Sequence, residues 1–303
     1  MIDDQRPTMN GGPIFERMAV IGVGMIGGSL AQGCRGGIAR RVVGLDTDQN
    51  HRKQAVALGL VHAVGDLPEG VEGADLVVVA VPVGVAAEVI RAVAPYLADG
   101  CIVTDVGSVK GDLVAQMEAE IPPGRALVPG HPIAGTERAG PGAASAALFH
   151  GNLCVLTPSS RTPEDALKKI IHLWERLGSH VVLMDPFRHD HIFALVSHLP
   201  HVVAYALIGT ILNHQDGGEE LLRFSAGGLR DFTRIAASHP IMWRDILIQN
   251  RDQVLESIAR FRKALGQIEE MIQTEDGAHL IEELRRAKEM REQLGSADSP
   301  PVR

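Results

Sequence analysis

An α/β domain built on a parallel sheet, followed by an all-helical domain, is the fold class this sequence predicts. Three observations predict it. Short apolar runs alternate with helical stretches through residues 16–186, a glycine-rich loop follows the first run, and beyond that point apolar residues recur three, four and seven apart. Fully apolar strands need cover on both faces, which intervening helices supply. The later spacing marks one face of an α-helix. The predicted domains are 16–186 and 187–303.

Strands are predicted at 18–23, 42–46, 76–81, 102–106 and 126–128, with two more at 153–156 and 181–184 in the same sheet. A helix over 163–177 closes at Gly178, in the usual position for a C-terminal glycine. In the second domain 191–212 is nearly all apolar and 230–237 reads as a short helix. A long helix over 241–272 carries Ile246, Leu247, Val254, Ile258, Phe261, Leu265, Ile268 and Ile272, and a last one carries Leu280, Ile281, Leu284, Ala287 and Met290. An apolar helix such as 191–212 must be covered on every side. So short a domain offers little cover, so a homodimer through it is expected. The stretch is long enough to span a bilayer, but His191, His198, Pro200 and His201 oppose lipid. A buried core helix is the reading, with no membrane contact.

Apolar residues make up 45% and charged residues 22% of the 303 residues, the balance of a soluble globular protein. A net charge of −8 excludes a nucleic-acid surface. Cys34, Cys101 and Cys154 form neither a disulfide framework nor a zinc site, so no metal is expected and a reducing cytoplasm suits them. Residues 1–16 are polar, lack the apolar core of a secretion signal and read as a frayed tail.

Gly22, Gly24 and Gly27 form GxGxxG directly after the first strand and at the start of a helix. The first two permit a tight turn and the approach of a pyrophosphate to the backbone, the third lets helix and strand pack closely, and the phosphates meet free N–H groups at the helix's positive end. Asp46 ends the second strand 19 residues after Gly27, where a carboxylate accepts from both ribose hydroxyls and repels a 2′-phosphate. The expected domain is therefore Rossmann-like and dinucleotide-binding. NAD is favoured over NADP, although Arg52 and Lys53 lie close by. Met25 and Ile26 opening the helix, Val81 and Pro82 ending the third strand, and Ser108 complete the candidate cofactor-binding set.

Ser108 and His131 each follow a predicted strand, at the carboxyl edge where open α/β sheets bind ligands. A serine beside a histidine fixes the imidazole's tautomer and leaves its other nitrogen to handle a proton. On the residues alone, a turn cap before Pro132 is the simpler reading of His131. Ser108 sits in Gly-Ser-Val-Lys, not a G-x-S-x-G elbow, which argues against a Ser-His hydrolase. Arg230 and Arg234 lie four apart, and Asp231 is spaced to pair with Arg234. Ala226, Gly227, Gly228, Ala236 and Ala237 around them suggest close packing, and two Arg in a cramped place need anions. His198 reads as a core histidine. Trp243 is a candidate for the pocket, an interface or the core.

Asp105-Val106-Gly107-Ser108-Val109-Lys110, His131-Pro132-Ile133-Ala134-Gly135-Thr136-Glu137, Ser197-His198-Leu199-Pro200-His201 and Arg230-Asp231-Phe232-Thr233-Arg234, in this order after the glycine loop, resemble the prephenate and arogenate dehydrogenase family of tyrosine biosynthesis. The resemblance implies an NAD-dependent oxidative decarboxylation of prephenate, a small-molecule substrate. His131 would be the base, with an apparent pKa near the imidazole range, and Ser108 would orient it. His201 would reach the pyruvyl side chain and Arg234 the ring carboxylate. Arg230, Asp231 and Glu137 would form an ion-pair gate, with Trp243 lining the pocket. Arogenate, alone or alongside prephenate, is the alternative substrate. More distant rivals are a β-hydroxyacid or imine-type dehydrogenase and a nucleotide sensor without chemistry.

Overall fold

In the computed structural model, which describes residues 12–136, 138–214 and 218–295, the first five predicted runs become strands of one parallel sheet. These are β1 (Phe15–Ile21), β2 (Ala39–Leu45), β4 (Leu76–Val79), β5 (Ile102–Asp105) and β6 (Ala126–Val128). A two-residue strand that the sequence does not announce, β3 (Ala63–Val64), completes the order β3-β2-β1-β4-β5-β6. Helices α1 (Met25–Arg35) and α5 (Glu164–Arg176) pack one face around Leu30, Cys34, Ile170 and Trp174. Helices α3 (Ala86–Val93) and α4 (Gly111–Ala119) cover the other around Ile90, Val93, Leu113 and Met117. Helix α2 (Gln49–Ala57) links β2 to β3, and its N-cap Asp48 accepts the Asn50 amide at 2.7 Å. The chain doubles back between β1 and β4, so the crevice at their carboxyl ends is the expected ligand site.

The runs at 153–156 and 181–184 do not extend that sheet. They form β8 (Leu153–Leu156) and β9 (His180–Leu183), parallel to each other, and β7 (Gly130–Pro132) adds antiparallel to β8 in a separate three-stranded sheet. Strand composition reports burial, not the partner, so the sequence could not distinguish the two sheets.

Asp185 opens the helical part. Its carboxylate accepts the amides of Phe187 and Arg188 at 2.9 Å, and Pro186 fills the first turn. Helix α6 (Pro186–Phe193) runs through a π-helical turn at Ala194–His198 into α7 (Leu199–Leu212). Short helices α8 (Gly218–Leu221) and α9 (Gly227–Thr233) follow. The predicted helix at 230–237 thus starts earlier and tightens into a 3-10 turn at Arg234–Ala237. The predicted 241–272 helix is two helices, α10 (Pro240–Gln249) and α11 (Arg251–Gln273), broken at Asn250, before α12 (Gly277–Gly295). Trp243 and Ile246 of α10 join the core under α3 and α4, fastening the two parts together. The reading of 191–212 as a buried core helix is corrected: in α7 only Ala204 is buried within one chain. By length and composition alone Pro186–Leu212 is apolar enough to cross a membrane.

Candidate active site

The glycine loop has the shape its spacing predicts. Gly22 adopts φ +91°, and a Cβ there would collide with the carbonyl of Ala80. A Cβ at Gly27 would strike the carbonyl of Gly22, whereas one at Gly24 would meet nothing within 4 Å. The third glycine therefore serves packing and the second faces open space, the arrangement a pyrophosphate requires. Gly24 caps α1 without a side chain, which leaves the first-turn N–H groups of Met25 and Ile26 for a ligand. Ala80 and Val81, just after β4, lie against Gly22, and Pro82 follows them. Asp46 accepts the Val23 amide at 3.0 Å and the Asp48 amide at 2.9 Å, so its carboxylate stands between the glycine loop and the β2–α2 turn. The Arg52 guanidinium is already engaged: it bonds the Asp46 carbonyl and pairs with Asp66 at 2.6 Å. Lys53 is exposed on α2.

Beyond β5 a buried polar cluster shapes the loop that carries Ser108. Lys110 is fully buried, and its Nζ donates to Asp105 Oδ2 at 2.7 Å and to the Gly107 carbonyl at 2.8 Å. Asp105 also accepts the Gly107 amide at 2.8 Å and, through its other oxygen, the Gly130 amide at 3.2 Å. That last bond ties β7 to the main sheet. His131 lies within β7, opposite Val155, and not in a turn, which removes the turn-cap reading.

The ring of His131 is held by a residue the sequence reading passed over. Its Nδ1 lies 2.8 Å from Nε2 of His189, and Nδ1 of His189 lies 2.8 Å from Asp190 Oδ1. The nitrogen assigned to Ser108 is thus taken by His189, and Nε2 of His131 is left for a ligand. Phe193 packs on both rings, with centroids at 4.9 and 4.4 Å. Burial, followed by the neighbouring His189, Lys110 and His198, holds His131 well below the usual imidazole range. The shift is toward the neutral imidazole, below the ordinary imidazole pKa that the sequence reading expects.

The same cluster reaches the π-helical turn. Asn250 Nδ2 donates to the Asp190 carbonyl at 2.9 Å and meets His198 Nδ1 at 3.1 Å. His198 is buried as predicted, and burial pushes its pKa down to about 3. His201 stacks on Trp243 at 3.5 Å between ring centroids, with its Nδ1 on the Ser197 carbonyl at 2.9 Å. Trp243 is accordingly both a core residue and the stacking partner of His201. Burial lowers the His201 pKa, and the Arg234 cation adds to that shift. Arg230, Asp231 and Arg234 are exposed in the single chain, and α9 buries no residue. The expected close packing fails there because small side chains on a two-turn helix present little surface to bury. Glu137 lies outside the described residues. Among the described residues, no group of three or more His, Cys, Asp or Glu is arranged to hold a metal ion.

A glycine loop shaped for a pyrophosphate, with the His131 segment against it and a helical domain after it, fits the class of two-domain nucleotide-dependent dehydrogenases. The comparisons narrow it. Residues 30–183 match the family model for the nucleotide-binding domain of prephenate dehydrogenase, and 185–286 match that for its dimerization domain. The chain is 38% identical over 281 residues to the cyclohexadienyl dehydrogenase of Zymomonas mobilis, covering 92% of this chain and 96% of that one. Prephenate dehydrogenase from Aquifex aeolicus, solved with hydroxyphenyl propionate and NAD+, superposes with a TM-score of 0.86 at 35% identity over 92% of this chain and 98% of that one. Synechocystis arogenate dehydrogenase superposes at 0.77 with 28% identity over 92% and 99%. The chain belongs to the prephenate dehydrogenase family.

Proposed function

We propose that this protein is an NAD-dependent prephenate dehydrogenase of tyrosine biosynthesis that converts prephenate to 4-hydroxyphenylpyruvate. One observation carries the reading. The segment after His131 lies on the nucleotide loop: Thr136 Oγ1 donates to Met25 Sδ at 3.5 Å, and a Cβ at Gly135 would lie 3.6 Å from Met25 Cε. Base and hydride acceptor therefore share one crevice. The bound nicotinamide supplies the hydride acceptor. Nε2 of His131 takes the hydroxyl proton as that carbon becomes a carbonyl, and Ser108, on the loop after β5, orients the hydroxyl. Arg234 grips the ring carboxylate, which leaves as carbon dioxide with aromatisation as driving force, and His201 meets the side chain against Trp243. Arg230 and Asp231 form a charged gate beside Arg234. The division between domains falls at 186/187.

A homodimer through the helical domain completes the enzyme, supported by the apolar residues that α7, α11 and α12 leave outward. The three free, buried cysteines suit a cytoplasmic location. Action on arogenate as well is favoured by the likeness to the Zymomonas cyclohexadienyl dehydrogenase. Turnover with NAD, followed as NADH formation on prephenate and on arogenate, tests both readings. Prephenate should be oxidised with a carbon dioxide released per NADH, and no turnover on it would refute the proposal.

A further inference from the structure

Asp190 fixes every proton in the relay behind His131. An ionised carboxylate only accepts, and Asp190 Oδ1 accepts the Lys110 amide at 2.8 Å and His189 Nδ1 at 2.8 Å. His189 therefore carries its proton on Nδ1 and, being neutral, offers the Nε2 lone pair. Burial lowers the His189 pKa despite the Asp190 hydrogen bond, which is consistent with the neutral form. His131 must then donate from Nδ1 across the 2.8 Å contact, so its own lone pair is on Nε2. His189 is fully buried and Phe193 lies against both rings, so water does not compete for these bonds.

Resting on the reading of His131 as the base, we propose that His189 and Asp190 are its positioning residues. Two hydrogen bonds in series hold the His131 proton on Nδ1, turn Nε2 to the substrate hydroxyl, and spread the charge that arrives with the substrate's proton. In that step the hydroxyl O–H bond breaks and an Nε2–H bond forms on His131. Its Nδ1 proton moves toward Nε2 of His189, and the Asp190 carboxylate faces the resulting cation. No electrons move along the relay, because the hydride goes to the nicotinamide. The charged and titratable groups around it are Asp105 at the end of β5, Lys110 beyond it, Asp190 on α6, His198 on the π-helical turn, and the Cys154 thiol on β8. Of these, only Asp190 is hydrogen-bonded to a relay ring.

The test uses the full chain and the variants His189→Gln, Asp190→Asn and His131→Ala. Nucleotide Kd is read first, then kcat, KM and the pH profile. Asp190→Asn keeps an oxygen for the Lys110 amide and His189 but removes the charge. Gln at 189 keeps an acceptor but takes no proton. Both should lower kcat by roughly 10- to 100-fold, as loss of outer partners does for other histidines, with KM and nucleotide Kd unchanged. Asp190→Asn should also move the ascending limb of the pH profile to lower pH, because the anion that favours the cationic relay is gone. Imidazole ¹⁵N shifts in the wild type should place the His131 proton on Nδ1. If His131→Ala is inactive while both other variants keep wild-type kcat and pH profile, the relay is refuted and the base stands. Near-normal turnover in His131→Ala removes the base reading itself. Loss of nucleotide binding together with kcat, or a proton on Nε2 of His131, overturns the positioning role in favour of a structural one.

Discussion

The two domains meet the demand for burial in different ways. In the first, β4 and β5 have every residue buried, and the helices on both faces close the core within one chain. In the second, Phe224 is 83% and Val196 66% exposed, and no residue of 277–293 on α12 is buried. Apolar surface of that extent marks an interface. The difference divides the site as well. The nucleotide loop and the His131–His189–Asp190 chain are assembled within one chain, while Arg230 and Arg234 lie on its exposed surface.

Breaking the closed half should have the largest effect. His131→Ala should fold, bind NAD with unchanged Kd and lose about 10²–10⁴-fold in kcat, the usual worth of a general base. In the wild type, kcat/KM should rise with pH as the base loses its proton. Because the His131 pKa is depressed, that rise should be complete below the ordinary imidazole value of about 6.5. A limb centred above neutrality would contradict the burial argument.

The open half should respond next. Arg234→Ala should cost roughly 2–4 kcal/mol, or about 30- to 1,000-fold in kcat/KM for prephenate, at constant nucleotide Kd. Arg234→Lys keeps charge without the planar fork and should fall between. An unchanged prephenate KM in the alanine variant would sink the carboxylate clamp. A smaller effect is expected at Asp46: Asp46→Ala should weaken NAD about tenfold, the loss of charge-assisted hydrogen bonds, and narrow the preference over NADP. A wild-type enzyme with the higher kcat/KM on NADP would reverse that assignment. The mildest effect is expected from dilution. Light scattering at micromolar concentration should show a dimer, and dissociation should raise substrate KM before it touches nucleotide Kd; a stable, active monomer would erase the contrast between domains.

How much of this was legible in the sequence follows the same divide. Parallel strands buried on both faces write themselves as apolar runs, and the glycine loop with Asp46 has local spacing, so both could be read directly. β7 could not, because Gly-His-Pro offers no apolar run and its pairing with β8 is settled by tertiary contact. His189 escaped for a related reason. It is 58 residues from His131, and its pairing depends on where α6 docks against the loop after β5. A His-Asp pair entering an otherwise apolar stretch was the available signal. The break at Asn250 was hidden because apolar residues on either side of it keep helical steps. The exposure of α9 is not legible because small residues occur both in crowded contacts and on short helices that bury little.

The bond between the Lys110 amide and Asp190 has one more consequence, in kinetic terms. Asp190 belongs to the first helix after the domain junction, and Asn250 grips its carbonyl from the α10–α11 bend. The junction is therefore latched by the hydrogen bonds that set the base. A hinge there would open the site only by releasing His189, so every opening would cost the catalytic tautomer. Amide exchange should therefore be slow at Lys110, and fast exchange there would show that the junction opens freely.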